Sequence, residues 1–191
     1  AAGAYLLGPS FSAVAFGYVA LQSAYIFWTK HEVILDVMSI SVGFVLRAAA
    51  GTAAIGVAGS PWLYICAALL ALFLAVGKRR HELLELDADA AQHRPSLSHY
   101  SAPLIDSMLS SVTAATIVTY ALYTFFSATA QEHQYLMLTV PFVVYGLFRY
   151  LYLVYKRNLG GSPEEILLSD RPLIINVIAW TATVAAVVYF G

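Results

Sequence analysis

Charge is what this sequence has least of. Lys, Arg, Asp and Glu make up 11% of its 191 residues, and 60% of the residues are hydrophobic. An average soluble domain carries about 25% charged residues, so a chain solvated on all sides is excluded. Cysteine is nearly absent. The single Cys66 forbids an intramolecular disulfide and, lying inside an apolar run, reads as a small buried side chain. No Gly/Ser-rich linker, low-complexity tract or internal repeat divides the chain. There is no phosphate-binding loop, dinucleotide fingerprint or GxSxG elbow, and the His and Cys spacing matches no zinc pattern. The net charge of −1 offers no basic footprint, and no nucleic-acid partner is expected. An initiator Met and a signal-peptide pattern are also missing. The opening Ala1-Ala2-Gly3-Ala4-Tyr5-Leu6-Leu7 reads as the tail of an earlier apolar segment, so an N-terminally truncated chain is expected.

Long uncharged runs are present instead. A membrane-spanning helix needs about 20 apolar residues. Six stretches qualify: 11–29, 33–57, 62–77, 104–130, 135–155 and 173–190. The runs are continuous rather than alternating, which argues against strands. The predicted fold is all-α, a single polytopic membrane bundle.

The charges that remain are unevenly placed. Lys30, His31 and Glu32 separate the first two spans. Residues 78–99, with Lys78, Arg79, Arg80, His81, Glu82 and Arg94 among them, separate the third and fourth. Lys156, Arg157, Glu164, Glu165, Asp170 and Arg171 separate the fifth and sixth. The intervening connections, Ala58-Gly59-Ser60-Pro61 and Gln131-Glu132-His133-Gln134, hold no Lys or Arg. By the positive-inside rule the three charged connections are cytoplasmic and the C-terminus is outside. Tyr and Trp near span ends, including Trp28, Trp62 and Tyr155, fit interfacial belts.

Within the spans the ionisable residues are Asp36, Arg47, Asp106 and Arg149. Each costs about 2.5–3.5 kcal/mol at mid-membrane, so they are expected to face the bundle interior. Asp36 and Arg47, eleven residues apart, share a helix face and could line one cavity. Asp106 with Arg149 is the plainest structural pairing. The small residues around Ser41 and Gly43, and from Ala48 to Ala54, are packing surface.

The connection after the third span is the densest polar feature. Continued as a helix past Gly77, it sets Lys78 one turn from Glu82 and puts Glu82, Glu85 and Asp89 on one face. Carboxylates suit Mg²⁺ bridged to phosphates, and Lys and Arg suit phosphate oxygens. A solvated face that sets topology and touches anionic lipid fits the same residues equally well.

Several stretches carry a resemblance: Tyr25 to Lys30, Leu35-Asp36-Val37, Gly43 to Gly51, Gly77-Lys78-Arg79-Arg80-His81-Glu82-Leu83, His93-Arg94-Pro95, Tyr100-Ser101, Phe148-Arg149-Tyr150, Pro163-Glu164-Glu165 and Asp170-Arg171-Pro172. With these the chain resembles the UbiA superfamily of intramembrane prenyltransferases. Within it, the chain looks most like the branch that moves a phosphoribosyl group onto a polyprenyl phosphate. The resemblance implies a nine-helix bundle of which six helices are present, in a bacterial inner membrane. It implies Mg²⁺ as cofactor, with 5-phosphoribosyl 1-diphosphate and a polyprenyl phosphate lipid as partners. A homo-oligomer is left open. The family's first Asp-rich motif, NDxxDxxxD, does not occur in this chain. On this reading Lys30, Lys78, Arg79, Arg80 and Arg94 contact phosphate, Asp36 and Glu82 are the catalytic carboxylates with Glu82 the metal ligand, and Arg47 and Asp106 line the cavity. The alternative within the family moves a prenyl group from a prenyl diphosphate to an aromatic acceptor. The Lys-Arg-Arg-His-Glu run, in place of a second Asp-rich motif, favours the phosphoribosyl branch. A transporter component is a third reading, weakened because the charges gather at one membrane face and no paired broken helices are visible.

Overall fold

A computed structural model describes residues 8–86, 95–157 and 160–190. Among these residues the protein is all α, and six of its helices are long and apolar enough to cross a membrane. The long helices are α1 (Pro9–Phe27), α2 (Leu35–Ala54), α3 (Pro61–Leu86), α4 (Ala102–Phe126), α6 (Val140–Lys156) and α8 (Arg171–Phe190). Two short helices, α5 (Ala128–Glu132) and α7 (Pro163–Ser169), lie in connections, with 3-10 turns at Thr29–His31, Pro95–His99 and Gln134–Thr139.

Local chemistry sets the boundaries. Proline opens α1, α3 and α7, where its missing N–H costs nothing. Ser101 caps α4 by accepting from the Leu104 N–H, and Ser127 caps α5 by accepting from Ala130. Asp170 caps α8 by accepting from Leu173 at 3.0 Å. The third span does not end at Gly77: α3 runs unbroken to Leu86, so the polar connection begins as two extra turns of a spanning helix.

The core lies between α3, α4 and α6, where Phe73, Val76, Ile105, Leu109, Leu147 and Leu153 are buried. The Phe73 and Tyr150 rings meet at 5.1 Å. Small residues allow the close approaches, as the sequence suggests. Ser41 of α2 donates to the Ala68 carbonyl of α3 at 2.7 Å, and Gly43 faces Tyr18 and Leu21 of α1. Outward-facing Phe16, Phe125, Phe148 and Ile178 are exposed, as helices facing hydrocarbon require.

The intramembrane charges pair differently from the sequence expectation. Arg149 bonds Asp170, at 2.8 Å from Nη2 to Oδ2. Asp106 bonds Arg80, at 2.8 Å. Arg47 is exposed on α2, bonded to the Tyr18 hydroxyl at 2.6 Å and stacked on Tyr18 and Phe44, whereas Asp36 is fully buried. The phenol and the ring faces supply what a carboxylate would otherwise give.

Candidate functional site

The three charged connections meet at one end of the bundle. The Ile34 N–H, before α2, donates to the Tyr100 hydroxyl before α4 at 2.8 Å. The segment after α6 lies on the end of α3: a Cβ on Gly160 would stand 2.7 Å from His81 Cβ, and one on Gly161 would stand 2.7 Å from the His81 ring. At Gly160 the close atom is the His81 Cβ, fixed to the α3 backbone, so bare backbone is required there; at Gly161 it is the His81 ring, which can turn away.

The last turns of α3 supply the site. Neighbouring residues on a helix point about 100° apart, and Arg79 and Arg80 accordingly serve different helices. Arg79 is 2% exposed and turns inward to Asp36 of α2, which is fully buried. Arg79 Nε lies 2.9 Å from Asp36 Oδ2, a close charge contact aligned too poorly for a hydrogen bond. Arg79 also donates through Nη1 to Glu82 Oε2, one turn along the helix. Glu82 thus pairs with Arg79 rather than with Lys78. The Tyr100 hydroxyl donates to Asp36 Oδ1 at 2.8 Å. Burial holds the Tyr100 phenol well above its ordinary pKa, and the bond to Asp36 adds to that. It therefore stays protonated and donating at physiological pH.

Arg80 turns to α4, where its Nε donates to Asp106 Oδ1. The same oxygen accepts from the Tyr155 hydroxyl at 2.7 Å, and the Arg80 guanidinium stacks on the Tyr155 ring at 3.8 Å. Tyr155 is more than an interfacial belt residue, since it carries a cation and a carboxylate at once. Beside it an open groove of about 390 Å³ runs between α4 and α6, lined by Ser110, Phe148, Leu151, Tyr152 and Tyr155. Asp106 meets this groove through Tyr155 and through Ser110, whose hydroxyl donates to the Asp106 carbonyl at 2.9 Å; Arg47 is not among its lining residues.

Lys30 and Lys78 are half-buried at this end, and neither has an ion-pair partner among the described residues. Arg94 lies outside the described residues, as do His93, Asp87 and Asp89. Among the described residues no group of three or more His, Cys, Asp and Glu side chains could hold a metal. Asp36, Asp106 and Glu82 each meet an arginine, and of the three Asp36 is fully buried while Glu82 is 22% exposed.

Tyr100 and Tyr155 were not assigned roles from sequence. A phenol carries no formal charge, and a charge count passes over it. The signal that was available is position, since both lie within a turn of the polar end of a span.

A model of the UbiA prenyltransferase family matches residues 1–164. The chain belongs to this family. Six spanning helices in a UbiA protein make it a multi-pass membrane protein. UbiA transferases are generally metal-dependent. The UbiA chain is similar to the decaprenyl-phosphate phosphoribosyltransferase of Mycolicibacterium smegmatis, with 34% identity over 91% of this chain and 57% of the relative. It is similar to the Mycobacterium tuberculosis enzyme of the same name, with 33% identity over 100% of this chain and 62% of the relative. It is also similar to the Corynebacterium glutamicum enzyme of that name, with 35% identity over 90% and 52% respectively. The chain thus spans between about half and three-fifths of the length of these curated relatives.

Proposed function

We propose that this chain forms the membrane-embedded transfer site of a polyprenyl-phosphate phosphoribosyltransferase. The donor is 5-phosphoribosyl 1-diphosphate, the acceptor is a decaprenyl-type phosphate, and diphosphate is released. The observation that carries this reading is the meeting of three cation-bearing connections at one end of an apolar bundle. There the lysines Lys30 and Lys78 stand beside spanning helices, with no ion-pair partner among the described residues. Similarity to enzymes named for this transfer supports it.

The chemistry asks little of an acid or base. The acceptor phosphate is already an anion near neutrality. Its oxygen attacks the anomeric carbon, the bond to diphosphate breaks, and charge develops on an oxocarbenium-like ribose, as in glycosyl transfer. The protein's tasks are to neutralise the leaving diphosphate and to hold two phosphates in line. Lys78 and Lys30, joined by Arg94, contact phosphate directly. Arg79 and Arg80 are already bonded to carboxylates, so they set the local potential and the shape of the wall. Glu82 faces the ribose or a Mg²⁺-bound diphosphate. The described residues fit a single carboxylate contribution to Mg²⁺, not a complete metal centre. The charged end lies on the cytoplasmic side of a bacterial inner membrane, where a soluble sugar phosphate has access.

Lys78→Ala and Glu82→Ala, made in the protein expressed from its complete reading frame, abolish transfer of radiolabelled phosphoribosyl to polyprenyl phosphate while the protein still inserts. Near-normal turnover in both variants would remove this connection from the active site. Efficient prenylation of an aromatic acceptor from a prenyl diphosphate, with no phosphoribosyl transfer, would replace the reading with the other UbiA chemistry.

A further inference from the structure

We propose that Tyr100 is a positioning residue for the transfer site, acting on Glu82 through Asp36 and Arg79. The inference rests on the phosphoribosyl-transfer reading above.

The links form an unbroken series. The Ile34 N–H donates to the Tyr100 oxygen at 2.8 Å, and Tyr100 donates to Asp36 Oδ1 at 2.8 Å. Asp36 Oδ2 faces Arg79 Nε at 2.9 Å, and Arg79 donates to Glu82. Exposure rises from Asp36 onward. Asp36 is fully buried, Arg79 is 2% exposed and Glu82 is 22% exposed. Only the last member opens toward a substrate. The buried members therefore cannot touch the donor, but they fix the rotamer of the one that can.

The backbone at the start of the series supports this. Ile34 has φ +70°, among the described residues the one non-glycine position with positive φ. A β-branched residue rarely adopts that region, and such strain persists only where its surroundings over-determine it. Here the strained residue aims its N–H at Tyr100 and leads straight into the α2 turn that carries Asp36.

The test uses Tyr100→Phe in the protein expressed from its complete reading frame. The kcat for phosphoribosyl transfer falls about tenfold per folded molecule, the scale of one hydrogen bond to a charged group. KM for the donor and for polyprenyl phosphate stays within about twofold. A purely structural tyrosine would lower the amount of folded protein and leave kcat per folded molecule at the parent value, which overturns the inference. Asp36→Asn keeps an acceptor for Tyr100 and removes the charge facing Arg79. It gives the same kcat-selective loss, and it decides the matter if Tyr100→Phe fails to accumulate. Parent kcat in the folded variants overturns the inference and leaves phosphoribosyl transfer standing. Absence of transfer from the parent protein itself overturns both.

Discussion

The two ends of the bundle solve the same closure problem with different chemistry. At the charged end, Asp36 with Arg79, Asp106 with Arg80 and Asp170 with Arg149 tie helix to helix. At the opposite end the ties are neutral. Trp180 Nε1 donates to the Tyr120 hydroxyl at 2.9 Å, Tyr120 and Thr139 hydroxyls meet at 2.8 Å, and Ala130, Leu136 and Val187 form a small apolar cluster. Neutral hydrogen bonds suffice to close a bundle. Buried ion pairs are a costly way to do it, because desolvation can consume the Coulombic gain. Asp36 with Arg79 is the fully buried pair of the three, while the Asp106 and Arg149 side chains stay partly exposed, so that cost falls chiefly on one pair.

Breaking the most buried pair gives the largest effect. Arg79→Ala strands Asp36 in a dry site and lowers stability by about 3–5 kcal/mol, read as a fall in the unfolding midpoint in detergent. If the loss matches that of an exposed pair, the contrast between the two ends disappears. A smaller effect comes from Asp170. The Arg149 guanidinium bonded to it holds its carboxyl below the ordinary value. Its stabilisation is therefore complete above the unfolded pKa of about 4 and is lost as pH falls through the lower folded value. Asp170→Ala also removes the α8 cap and costs about 1–2 kcal/mol at neutral pH, and the difference from the parent narrows in acid. Circular dichroism melts at neutral pH and below about pH 3.5 check the sign. The smallest effect belongs to the neutral end. Thr139→Val costs about 1 kcal/mol and leaves phosphoribosyl transfer per folded molecule unchanged. A selective loss of turnover there would mean that chemistry is not confined to the charged end.

Much of this contrast was legible in the sequence, and for a physical reason. Hydrocarbon admits so few charges that alternate connections reveal sidedness by composition alone, and the six runs and three cationic connections follow. The partners of each charge were not legible. Arg79 and Arg80 are neighbours in sequence yet serve α2 and α4, because a helix turns about 100° per residue. Asp36 and Arg47 share a face in projection, but Arg47 finds Tyr18 on another helix first. The tie made by Tyr100 depends on Ile34 adopting a backbone conformation that its side chain disfavours. No propensity rule would have predicted it.

The glycine at 160 sets a tolerance on the whole arrangement. Because one added methyl at Gly160 would stand 2.7 Å from the His81 Cβ, the third hydrophilic segment sits against the helix bearing Lys78 with no room for a side chain at that position. An alanine there would act as a shim, lifting the entry to α7 and α8 off its seat without touching any charged group. The seating of that segment on α3 thus depends on a side chain that is missing.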